Sequence, residues 1–117
     1  MEPGMEPGMD WTRIATLRDE IGADDLPEVV ALFLDEAAEV VHRIGSGATD
    51  GAVLAADLHS LKGTALNLGF DRVAALCRAA EPLAAAGRGA EIDRMAIAEG
   101  FAADSAALRR HLQAGGA

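Results

Sequence analysis

Apolar residues in this chain return every third or fourth position, block after block, and no segment alternates them one in two. A spacing near 3.6 residues commits each block to a helix that must bury one face. The first block carries Trp11, Ile14, Leu17 and Ile21, with Asp10 as its cap and Gly22 as its stop. Asp24 or Asp25 starts the second, with Pro27 in its first turn and a stripe of Val30, Phe33, Ala37, Val40 and Ile44; Gly45, Ser46 and Gly47 break it. Asp50 opens the third, whose stripe is Leu54, Leu58, Leu61, Ala65 and Leu68, closed by Gly69. Asp71 opens the fourth, with Val73, Leu76, Cys77, Ala80, Leu83 and Ala84, closed by the turn from Gly87 to Gly89. The fifth runs from about Ala90 to Gln113, with Ile97, Phe101, Leu108 and Leu112 on one face. The pattern predicts an all-α fold, an antiparallel four-helix bundle with a short additional N-terminal helix.

A length of 117 residues suits one domain. A chain of this size buries roughly two-thirds of its unfolded surface, so it needs no metal or disulfide to fold. Residues 1–9, MEPGMEPGM, repeat a Pro- and Gly-bearing unit and read as a flexible tail before a bundle over 10–113, with 114–117 as a flexible end. Cys77 is the sole cysteine, which excludes an intramolecular disulfide and points to a reduced compartment. The N-terminus is acidic and has no signal-peptide pattern. The longest apolar run, Val29 to Leu34, falls far short of the roughly 20 residues that span a bilayer. These features predict a soluble, cytoplasmic monomer. Nineteen acidic against ten basic residues give a formal charge of −9, which disfavours nucleic acid and anionic membranes as partners.

Metal chemistry finds little support. Glu39 and His42 fit the Glu-x-x-His element of di-iron bundles, but Ala56 and Leu108 stand where a second copy before His59 or His111 needs glutamate. No metal site is expected, and His42 and His111 read as surface residues. Cys77 lies on an apolar face and reads as a small core residue. Trp11 and Phe33 read as packing residues.

The third helix holds the informative residues. On a wheel of about 100° per residue the leucines face the core, while Asp57, Ser60, Thr64 and Asn67 form a polar face. His59 shares a third face with Ala52, Ala55, Lys62, Gly63 and Leu66, small and apolar residues around one basic pair. A patch of that kind suits docking of another protein. A lone histidine is more often structural or solvated, but Lys62 is the only lysine in a chain with nine arginines. Two potential cations at i and i+3 do not stabilise a helix, so the pair suits a negative third party. Lysine offers a flexible point charge where arginine offers a fixed fork. Gly63 costs about 1 kcal/mol relative to alanine in a helix interior. It either leaves the imidazole open to a large partner or allows close packing with a neighbouring helix.

The stretch HSLKGTALNLGFDRVAALCRAAE, from His59 to Glu81, closely resembles the histidine-containing phosphotransfer (HPt) domains of bacterial and eukaryotic phosphorelays. His59, Leu61, Lys62, Gly63, Ala65 and the Leu68-Gly69 turn carry the likeness, with Cys77 and Glu81 in the next helix and Leu26, Phe33 and Leu34 before the motif. It extends over roughly residues 10–113. The resemblance implies that His59 accepts a phosphoryl group from a receiver-domain aspartate, or from a histidine kinase relay, and passes it to another receiver. It implies that Lys62 stabilises the phosphoryl oxygens and that Gly63 gives the receiver access. The partners implied are response-regulator receiver domains, with a hybrid histidine kinase as a further candidate. No cofactor belongs to the chain itself, and Mg²⁺ is expected on the receiver. Such a phosphocarrier has no autonomous catalysis.

Glu81 also follows from the turn position. With the turn centred on Gly69 and Phe70, residues 79–81 of the next helix lie level with His59. Glu81 is therefore placed to accept a hydrogen bond from Nδ1 and leave Nε2 as nucleophile. The other reading is a solvated glutamate pairing with Arg78. The main alternative function is a helical interaction module without phosphoryl chemistry; a subtler alternative is a domain excised from a hybrid sensor kinase.

Overall fold

The computed structural model describes residues 9–47 and 51–114. Its helices are α1 (Trp11–Ile21), α2 (Leu26–Gly45), α3 (Gly51–Asn67), α4 (Asp71–Ala85) and α5 (Arg94–Gln113), with a short 3₁₀ turn at Gly89–Glu91. The all-α bundle expected from periodicity is the fold observed. The tail at 1–8, Asp50 and the end at 115–117 lie outside the described residues.

Local chemistry sets most of the boundaries. Asp10 accepts a hydrogen bond from the Thr12 amide at 3.1 Å and caps α1. Asp25 precedes α2 without a side-chain cap bond, and Pro27 occupies the first turn, where its missing N–H costs nothing. The largest departure is at α5, which begins at Arg94 and not near Ala90. The Asp93 carboxylate takes the Ala96 amide at 3.0 Å and fixes the start there. The preceding residues tighten into the 3₁₀ turn, and Ile92 is extended.

Leu54, Leu58, Leu61 and Ala65 of α3 pack against Val73, Ala74, Cys77, Ala80 and Ala84 of α4, the most extensive helix pair. The two helices are joined by the short turn at residues 68–70 and run antiparallel. In α2 the buried stripe is Leu26, Val30, Leu34, Ala37 and Ile44. Phe33 and Val40 sit half-buried at its edge, so the helix is rotated towards Leu34 relative to the expected stripe. Trp11 is also half-buried and stacks on His111 with ring centroids 4.4 Å apart. His111, expected at the surface, is half-buried and packs its ring on Trp11. Two polar residues join the α5 core face, Asp104 at 6% exposure and Ser105 at 4%. The Oδ2 of Asp104 is buried without a hydrogen-bond partner among the described residues.

Met9, assigned to the tail by composition, belongs to the fold: it is half-buried and forms an isolated antiparallel bridge with Phe70. Next to it the Asp10 amide donates to the Gly69 carbonyl at 2.7 Å, and Arg13 Nε donates to the Asn67 carbonyl at 3.1 Å. The start of α1 thus straps the turn between α3 and α4. Gly69 has φ of 73°, and a Cβ there would run into the Asp10 carbonyl, so only glycine fits.

Candidate functional site

Burial of Leu58 and Leu61 fixes the rotation of α3 about its axis. His59, between them, is thereby turned outwards, and its side chain is 73% exposed. The short α3–α4 turn brings Glu81 level with it. The two residues meet: His59 Nδ1 lies 2.8 Å from Glu81 Oε1. The other carboxylate oxygen, Oε2, accepts a hydrogen bond from Lys62 Nζ at 2.6 Å. One carboxylate therefore holds both basic residues of α3 on separate oxygens. Pairing of Glu81 with Arg78 has no place in this arrangement.

The surroundings strengthen the ion pair. The Lys62 and Glu81 side chains are each 21% exposed, so the contact is partly shielded from water. One turn before Glu81, Cys77 is fully buried on the core side. Its thiol is pushed up to about 12, chiefly by burial and further by the nearby Glu81 charge, so it stays neutral. The Glu81 carboxyl is held below its ordinary range, first by the hydrogen bond from Lys62 against an opposing desolvation cost, and then by His59.

Lys62 differs from the sequence expectation in one respect. It is not a free point charge beside the histidine, because its ammonium group is committed to Glu81. Gly63 is exposed, and a Cβ added there meets nothing within 4 Å. The packing reading of this glycine has no neighbouring helix to support it. Around the histidine, Ala52 is exposed, Ala55 half-buried and Leu66 44% exposed. Val53, not singled out from the sequence, adds a further exposed apolar side chain at 49%.

Sequence reasoning also missed Arg43 of α2. It reaches Asp57 with two hydrogen bonds, of 2.9 and 3.3 Å, and ties α2 to α3 one turn before Leu61. Helical spacing alone puts Asp57 on an ordinary polar face. No periodic signal marks a pairing between separate helices. Glu39 and His42 are both exposed, and no group of three His, Cys, Asp or Glu side chains able to hold a metal occurs among the described residues. No helix among them is long and apolar enough to cross a membrane.

The site therefore presents one exposed imidazole held by Nδ1, with no partner on Nε2 among the described residues. Its rim is small and apolar. The sequence profile described as "Hpt domain" matches residues 28–114. Comparison with curated proteins and with solved structures gives no significant match.

Proposed function

The chain belongs to the Hpt domain family, the histidine phosphotransfer modules of phosphorelays, and on that premise we propose that His59 is the residue that carries the phosphoryl group. The observation that bears most on this is the 2.8 Å contact between Nδ1 and Glu81, because a carboxylate there favours the tautomer with its proton on Nδ1 and its lone pair on Nε2.

The Nε2 lone pair attacks the phosphorus of a receiver's aspartyl phosphate. A P–N bond forms as the P–O bond to the aspartate breaks, and the aspartate leaves as a carboxylate. The ring keeps its Nδ1 proton and becomes a phospho-imidazolium, whose new positive charge faces the Glu81 carboxylate. The reverse sequence delivers the group to a second receiver. Metal and most transition-state stabilisation belong to the receiver, which supplies Mg²⁺. Gly63, Ala52, Ala55 and Leu66 form the surface on which the receiver docks, with Gly63 leaving room for its phosphoaspartate. The carrier works as a cytoplasmic monomer that meets receiver domains or a hybrid kinase.

The test is incubation with a Mg²⁺-loaded receiver phosphorylated on aspartate. The parent protein should take up a label that is acid-labile and base-stable, as a phosphoramidate is. His59→Gln should take up none while keeping the parent's helicity and melting temperature. Label retained in His59→Gln would overturn the assignment. A parent protein that binds the receiver yet never becomes labelled would make the chain an interaction module.

A further inference from the structure

A carboxylate on Nδ1 helps and harms a nucleophilic histidine at once. It fixes the tautomer, but its charge also favours the doubly protonated ring, which has no lone pair to offer. At this site the same carboxylate carries a second cation. Lys62 Nζ sits 2.6 Å from Oε2 while Oε1 is 2.8 Å from the ring. The ammonium group is directed at the carboxylate and is only 21% exposed, whereas the imidazole is 73% exposed. The other groups nearby do not substitute for it. On α4 the Cys77 thiol is buried and stays neutral. Lys62 and His59 are the basic groups whose charge acts on Glu81.

We infer that Lys62 is a positioning residue that serves as counter-charge to Glu81, and is not a ligand of the phosphoryl group. It lets Glu81 orient the ring without drawing a second proton onto it. The same balance acts after transfer. The phospho-imidazolium faces a carboxylate already half-neutralised by Lys62, so the phosphoryl group is not over-stabilised on His59 and can leave again. This part rests on the carrier function proposed for His59.

A ligand role and a counter-charge role predict opposite signs. If Lys62 holds phosphoryl oxygens, Lys62→Met moves the equilibrium with a receiver away from phospho-His59. If Lys62 offsets Glu81, the same change moves it towards phospho-His59, by about three- to tenfold. Glu81→Gln should move it the other way, and Lys62→Arg should behave like the parent.

An NMR titration of the His59 ring in the unphosphorylated protein needs no phosphoryl donor. Lys62→Met should move the midpoint upwards, and that shift should shrink in a Glu81→Gln background. Melting curves of each variant check that the bundle is intact. The inference is overturned by an unmoved midpoint, by an equal shift in both backgrounds, or by an equilibrium displaced away from His59. A parent protein that accepts no label would strike the carrier function instead, and the titration would still decide the role of Lys62.

Discussion

Gly63 stands one turn from His59 in open space, and its side-chain deficit costs helix stability for no packing return. Gly63→Gln should therefore melt higher than the parent, by up to about 1 kcal/mol of added stability, because a poor helix former is replaced at an exposed site. Transfer should slow, with Gly63→Ala intermediate in rate. Thermal melts and labelling time courses check the two opposed signs, and normal transfer in Gly63→Gln would remove the glycine from the site. Much at this scale was legible. The position of the turn placed Glu81 level with His59, and helical spacing set Gly63 beside it. The engagement of Lys62 was not legible, because the residue 19 positions away that receives its charge leaves no mark on the periodicity of its own helix. The bond between Arg43 and Asp57 escaped for the same reason.

At the scale of elements, helix positions followed from apolar spacing, and errors fell where a polar cap competes with a helix-favouring stretch. Ala90 and Glu91 are good helix formers, yet the Asp93 carboxylate starts α5 after them. Rotation of α2 towards Leu34 is a packing outcome that adjacent apolar residues leave undecided. The turn between α3 and α4 depends on Gly69 for a different reason from Gly63. Gly69→Ala would place a side chain at positive φ and against the Asp10 carbonyl, so it should cost about 2 kcal/mol or more. Stability and phosphoryl transfer should fall together, since this turn sets the level of Glu81 against His59. Denaturant melts beside labelling rates would show it, and an unchanged melt would mean that α1 does not strap the turn.

Across the whole molecule, a composition with nineteen acidic residues gave no hint that one of them, Asp104, lies in the core. It interrupts the α5 stripe between Phe101 and Leu108, where a scan for apolar residues passes over it. Burial pushes its carboxyl above the ordinary range, with Arg72 opposing. A carboxylate shifted upwards loses stability as pH rises from the ordinary carboxylate value through its higher folded value, and regains it as pH falls back through that interval. Glu81, shifted downwards, contributes above the ordinary carboxylate range and loses its contribution as pH falls through its lower folded value. Asp104→Asn should therefore raise the melting temperature at pH 7, by about 1 kcal/mol of stability, and the gain should vanish in acid. Melts across pH 3 to 7 would test this expectation, and a gain independent of pH would sink it. The short α3–α4 turn also bears on the order in which the chain assembles. His59 and Glu81 are 22 residues apart, and the two helices that carry them close a small loop. Loop-closure entropy penalises such a pairing less than the contact of α2 with α5, so contacts between α3 and α4 are the least costly to form first. The reactive pair can thus find its register before the rest of the bundle has closed around it.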